Sequence, residues 1–311
     1  MRIHKFKQAF TMLELIFVIV ILGIVSSVGA SLIANVYDSY ISQKALHNAT
    51  TKTDLAVKQI AARLTFRVKQ SVIGKKLDGT YLEITQIVPG DQYRILEWIG
   101  YDNDSFSAKE GKGWSGFCDI AASTKAKLSS PGSGLGQTKK IIENLGGVIT
   151  DAVVIFNAEY YSESGTVKRY TPQTMGFDGL AAATTISPVT GLGGTPKTLI
   201  KVSDKGAAVE KTLYDQYKLA WSAYAIVPEQ QTDDANTAVD ESKLFNLKLY
   251  YNYQPWKDET YADGNSSMLV EDVNVFKFQG IGNILRFKIC VQEKISSSDT
   301  VNICKEKAVI R

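Results

Sequence analysis

Histidine is almost missing from this chain. Of 311 residues only His4 and His47 are histidines, and both fall in the N-terminal segment. A site in the body that uses imidazole as base, nucleophile partner or metal ligand is therefore excluded. Cysteine is scarce as well: Cys118, Cys290 and Cys304 form no CxxC or mixed Cys/His cluster at metal-ligand spacing. No GxSxG is present, and GLGG at 191–194 lacks the Lys-Ser/Thr of a phosphate loop and reads as a flexible loop. The net charge is only +3, and Arg2, Lys5 and Lys7 in the first nine residues account for all of it. The remainder is formally neutral, without a basic patch interleaved with aromatics, so direct nucleic-acid binding is not expected. DNDS at 102–105 lacks the glycine and distal glutamate of a calcium loop and reads as a solvated turn. Asp233-Asp234 has loop composition. The chain is expected to be no enzyme, with no catalytic residue, metal or cofactor.

What the chain does have is a long apolar run. Phe10 to Ala34 contains no proline and one charge, Glu14. Its length suits a membrane crossing, and the basic flank before it favours a cytoplasmic N-terminus with the body outside. A secretory signal core is shorter and has no use for a carboxylate. A lone carboxylate costs about 2.5–3.5 kcal/mol at the centre of a membrane helix and less near its end. A nearby cation would offset that cost. If the chain is cut between Ala9 and Phe10, a new α-amine appears at Phe10, one helical turn from Glu14. The amine of a neighbouring copy could then pair with Glu14 inside a packed bundle of helices.

Ala9-Phe10-Thr11-Met12-Leu13-Glu14-Leu15 resembles the leader junction of type IV prepilins and type II secretion pseudopilins. In that family a small residue, usually Gly, precedes the cut; Ala9 departs from the pattern while remaining small. The resemblance implies cleavage after Ala9 by a prepilin peptidase, N-methylation of Phe10, and assembly through Phe10 and Glu14. It implies a bacterial inner-membrane protein with one crossing and a periplasmic head, which passes into a pilus or pseudopilus. Implied partners are other minor pilins, the major pilin, the peptidase and the inner-membrane assembly platform. The implied role is a structural subunit at or near the filament tip. The alternative is a binding module, an adhesin or DNA-uptake receptor, delivered by the same leader.

Four regions are expected: a leader at 1–9, the transmembrane half of a helix at 10–34, its amphipathic half at 35–76, and a β-rich head at 77–311. Between Asn35 and Lys76 there is no proline and one glycine, Gly74, which with Lys75 and Lys76 suggests the stop. Leu55, Ile60, Leu64 and Val68 form an apolar stripe expected to dock on the head. A helix over 10–73 would span about 95 Å. Beyond it, runs such as TYLEITQIV, QYRILEWIGYD, DAVVIFNAEYY, YKLAWSAYAIV, KLFNLKLYYNYQ, VNVFKFQG and NILRFKICVQ read as strands. Segments 129–138 and 184–198 read as loops, KKIIENLGG as a small helix, and 120–210 as a loop-rich insertion. The fold expected is α+β: a long helix docked on a mainly antiparallel sheet, as in pilins. Leu269, Val273, Phe276 and Phe278, followed by a final hairpin, are similar to the J-type pseudopilins and W-type minor pilins.

An exported body faces an oxidising compartment, where disulfides persist. Cys290 and Cys304 flank a strand–loop–strand segment and could staple it. Pairing of Cys118 with either of them, or three reduced thiols, remains open; buried as a small apolar side chain is the expectation for Cys118.

Overall fold

The structure, a computed structural model, describes residues 11–88, 90–108, 113–156, 160–161, 167–168, 170–179, 183, 185–194, 197–203, 213–230, 243–296 and 299–310. Helix α1 runs from Met12 to Thr65, and short strands β1 (Ile73–Lys75) and β2 (Tyr81–Glu83) follow. β3 (Ile95–Tyr101), the one-turn helix α2 (Asn103–Phe106), β4 (Asp119–Thr124) and β5 (Lys127–Ser129) come next. Then come helix α3 (Leu135–Asn144), β6 (Val153–Phe156), and β7 (Tyr160–Tyr161) with β8 (Val167–Lys168) as a separate two-stranded pair. β9 (Ile186–Leu192), β10 (Leu199–Val202), β11 (Tyr217–Gln230) and β12 (Phe245–Tyr253) lead to β13 (Asn265–Ile281), β14 (Ile284–Lys294) and β15 (Thr300–Ile310).

Thirteen of these strands form one sheet in which every pairing is antiparallel. Strands β11 to β15 pair in succession, as short connections between antiparallel neighbours favour. β11 is long enough to serve two neighbours. Tyr217–Ala220 pairs with β6, and Ala223–Gln230 pairs with β12. β3 pairs with β11 as well, over Ala220–Ile226. That change of partner lets β6, β9, β10, β5 and β4 extend the sheet away from α1. With its long helix and antiparallel sheet the chain is α+β and pilin-like in arrangement.

Three expectations need correction. Helix α1 stops at Thr65, well before Gly74. Phe66 and Val68 are β-formers, and tertiary bonds capture them: the Val68 N–H donates to Ile99 O at 2.8 Å, and Tyr101 N–H donates to Phe66 O at 2.9 Å. The segment 184–198, taken for a loop, contains β9, with Ile186 and Val189 fully buried. β9 is seated between β6 and β10 despite Pro188, which has no N–H to give to a ladder. GLGG at 191–194 follows from this, because Gly191 and Leu192 end the strand and only Gly193 and Gly194 turn, with φ +81 and +128. The stretch around 120–210 is thus a sheet extension with its own core, which includes Leu128, Ile142, Val154, Ile200 and Trp221. KKIIENLGG does contribute a helix, α3.

The face of the sheet away from α1 is closed by Tyr253 and Trp256, both buried. Tyr253 OH donates to Glu97 Oε1 at 2.8 Å, and Lys75 Nζ lies 3.4 Å from Glu97 Oε2. Glu97 is fully buried; that desolvation pushes its carboxyl pKa up, with Lys75 and Tyr253 pulling the other way.

Candidate functional site

The candidate site is α1 itself, and it has two unlike parts. Ala9 and Phe10, the expected cleavage and methylation positions, lie outside the described residues. The helix starts with Thr11 as N-cap in an extended conformation, its Oγ1 accepting from Glu14 N–H at 3.3 Å. Glu14 therefore occupies the third helical position. A carboxylate there is favoured by the helix dipole by about 0.3–1 kcal/mol at an exposed site. Thr-x-x-Glu is also the spacing of a capping box, a signal that the apolar run overshadows in the sequence. Glu14 is exposed, as are Ile16, Phe17, Ile21, Leu22, Val25 and the rest of the apolar run apart from half-buried Gly29. α1 is long and apolar enough to cross a membrane, and its apolar stretch has no buried residue. A helix that is hydrophobic all round needs either lipid or other helices around it.

From Ala45 onward α1 packs across β13, β14 and β15. Its buried residues are Ala45, Ala49, Thr53, Ala56, Val57, Ile60 and Leu64. They recur every three or four positions, and most are small, so the helix backbone can approach the sheet closely. Leu55, expected in this stripe, is half exposed because it lies about 100° around the helix from Ala56. Val68 is buried, but beyond the helix. Opposite the stripe lie Leu247, Val273, Phe276, Phe278, Phe287 and Ile289. Leu269, Val273, Phe276 and Phe278 all belong to β13; the last three are buried and Leu269 packs against them.

Charges fix the rim of this contact. Lys52 Nζ reaches Asp272 Oδ2 on β13 at 3.2 Å and Glu293 Oε1 on β14 at 2.5 Å. Partial burial works against the ammonium, yet the bonds to Glu293 and Asp272 outweigh it and raise the Lys52 pKa. Asp54 accepts from Lys305 on β15 and pairs with Lys58, each at 2.7 Å; the Lys305 and Lys58 bonds lower its pKa to about 2. At the helix end the buried Arg67 donates through Nη1 to Leu64 O at 2.7 Å and through Nη2 to Val309 O at 3.3 Å. That ties the last turn of α1 to the last strand. The ion pairs at this rim are solvent-screened and weak; burial of Ile60 or Leu64 contributes about 1.5–3 kcal/mol each.

Cys290 and Cys304 are directly opposed on β14 and β15 and joined by a disulfide, with Cα atoms 4.0 Å apart. Cys118 is a free, buried thiol in the core beside β6 and β11. DNDS is no solvated turn. Asp102 is buried and caps α2, its Oδ1 accepting from Ser105 N–H at 3.2 Å. Trp114 Nε1 donates to Asp102 O at 2.9 Å, which draws this corner into the core. Desolvation raises the pKa of Asp102. Asp233 and Asp234 lie outside the described residues. Among the described residues no group of three or more His, Cys, Asp or Glu could hold a metal ion.

Comparison with known proteins finds a family, the prokaryotic N-terminal methylation motif, matching residues 4–30. No curated protein and no solved structure matches the chain. The match spans the basic flank, the Ala9–Phe10 junction, Glu14 and most of the apolar run. This is a motif of structural pilin subunits, which implies processing by a prepilin peptidase and assembly with other pilins. The match, the exposed apolar half of α1 and the pilin-like α+β frame together support a precursor of the pilin or pseudopilin type with a single-pass membrane anchor.

Proposed function

We propose that the chain is a minor pilin or pseudopilin, a structural subunit of a type IV pilus or a type II secretion pseudopilus that acts at or near the tip. The observation that carries this reading is the division of α1. One half, matched to the methylation motif, has a full apolar surface and no partner among the described residues; the other half is bolted to a large head. Cleavage after Ala9 frees the Phe10 amine, which is then methylated. In the membrane, and then in the filament, the apolar halves pack side by side. Glu14 accepts a hydrogen bond from the charged Phe10 amine of a neighbour and so sets the axial offset between subunits. The partners are other minor pilins, the major pilin, the peptidase and the inner-membrane assembly platform. The head faces the periplasm, because Arg2, Lys5 and Lys7 hold the N-terminus in the cytoplasm. The large head, and the β13 pattern followed by the β14–β15 hairpin, support a J- or W-type subunit.

The test is Glu14→Ala in the native host. Membrane insertion and leader cleavage should remain, while the amount of subunit recovered in sheared filaments or in the pseudopilus complex falls. Recovery equal to that of the unaltered protein would remove the role assigned to Glu14.

A further inference from the structure

A cavity of about 390 Å³ opens where the last turn of α1 meets β3, β11 and β12. Backbone irregularities gather around it. β11 slips register against β3 between Ala220 and Ser222, and against β12 between Ala223 and Ala225. Opposite, Asn252 takes a left-handed conformation (φ +60), and its N–H donates to Ser222 Oγ at 2.9 Å. Bulges of this kind re-aim side chains and are over-represented beside functional sites. Two glycines keep room for the side chains so turned. A Cβ on Gly100 would stand 2.5 Å from the Tyr224 ring, and one on Gly147 would stand 2.6 Å from the Trp221 ring.

The outcome is a cavity walled by rings, with Phe66, Tyr101, Trp221, Tyr224 and Tyr251 converging on it. Trp98 stacks on Tyr224 with centroids 5.9 Å apart, and the Arg63 guanidinium lies 5.4 Å from the same ring centre. Arg63, Asn103, Asp104 and Asn252 complete the lining. Arg63 and Asp104 are exposed, and among the described residues neither is held in an ion pair.

We propose that this cavity binds a pyranose ring, as the end of a glycan. Aromatic side chains suit the C–H face of such a ring, while Tyr224, already covered by Trp98 and Arg63, serves to hold the Arg63 guanidinium in place. Carboxylate, amide and guanidinium planes each offer paired hydrogen-bonding atoms for adjacent hydroxyls. The volume is at the lower end of the range for ligand sites, enough for one or two rings. A peptide strand has no ladder to join here, since β3, β11 and β12 are each paired on both sides. A partner helix would need an apolar groove, and charged and amide groups stand in its place. The cavity also lies far from the apolar run. Arg63 lies 29 positions beyond Ala34, about 44 Å along the helix axis. On the reading of α1 as an anchor, the site is at the membrane-distal end of the helix. Sugar binding itself does not depend on that reading.

The test is saturation-transfer NMR on the full chain in a sugar-free detergent. The probes are the methyl glycosides of glucose, galactose, mannose, N-acetylglucosamine, N-acetylgalactosamine and glucuronic acid. Transfer to the ring protons of at least one of them is expected. Arg63→Gln and Asp104→Asn, both exposed and so expected to fold normally, should each weaken that binding roughly tenfold, as loss of one charge-assisted hydrogen bond implies. Tyr251→Leu, which keeps an apolar side chain against the core but removes the ring, should abolish it, with the melting curve as the check on folding. Transfer to none of the six, or transfer unchanged in both charge variants, overturns the proposal. So does a cavity that binds no glycoside but whose two charge variants lower incorporation into filaments, since it would then be a contact between subunits. Leader cleavage, unaffected in all three variants, keeps this test separate from that of the assembly role.

Discussion

From Met12 to Lys44 no residue of α1 is buried, whereas Ala45 to Thr65 carries a buried residue every three or four positions. Both stretches belong to one unbroken helix, so local propensity does not separate them. The difference lies in how apolar surface is distributed. Within the first stretch, Met12 to Ala34 is apolar on all sides apart from Glu14 and can be satisfied only by lipid or by other helices. The second half concentrates small side chains in one stripe and places Lys52, Asp54 and Lys58 around its border. The same secondary structure therefore serves two tasks, because side-chain size and charge, and not the backbone, decide what each half touches.

The comparison breaks most directly in the docked half. Leu64→Ala should cost about 2–5 kcal/mol of head stability, read as a lower melting temperature of the full chain in detergent. Ile21→Ala, in the exposed half, should leave that melting temperature unchanged. Equal losses from both would mean that the apolar half also packs on the head. The β14–β15 hairpin sharpens the contrast next. Cys290→Ser with Cys304→Ser opens a loop of about 15 residues and should cost roughly 3 kcal/mol in the chain-entropy model. Chemical denaturation should detect it, with leader cleavage unaffected.

A smaller effect belongs to Glu97 on the far face of the sheet. Its folded pKa is raised, so its favourable contribution is complete below the unfolded value and is lost as pH rises through the folded one. Glu97→Gln keeps an acceptor for Tyr253 OH and removes this titration. Its stability relative to the unaltered protein should therefore rise as pH climbs above the ordinary value of 4.5. A difference that stays constant as pH rises would contradict the raised pKa. The smallest effect is at Asp54, whose folded pKa is lowered to about 2. Its contribution is present above the ordinary carboxylate value near 3.8 and fades as pH falls towards 2. Asp54→Asn should flatten the acid limb of the melting profile slightly, and Ile21→Ala should not alter it.

Much of this was legible in the residues. The apolar run, its basic flank and the Ala9-Phe10…Glu14 spacing are local patterns, and a run that long has few possible environments. Strands such as β11, β12 and β14 announced themselves through alternating Val, Ile, Phe and Tyr. The stop of α1 was hidden, because nothing between Thr65 and Gly74 is a strong helix breaker; hydrogen bonds with Ile99 O and Tyr101 N–H, far along the chain, make the decision. β9 was hidden for the opposite reason, since Pro188 and the following glycines read as turn while burial of Ile186 and Val189 holds a strand. The stripe on α1 was partly misread because Leu55 looked like core and Ala45, Ala49 and Thr53 did not. Small residues carry little apolar signal, yet they let a helix lie close to a sheet. Buried Asp102 could not be foreseen, because its cover comes from Trp114 and the β11 region.

The measurement that bears most directly on the central claim is the intact mass of the protein purified from native membranes. A chain that begins at Phe10 and carries one added methyl group is the result expected if Glu14 is to meet a neighbour's amine. A chain that still carries residues 1–9 would contradict it, leaving α1 as a plain tether and Glu14 without its partner.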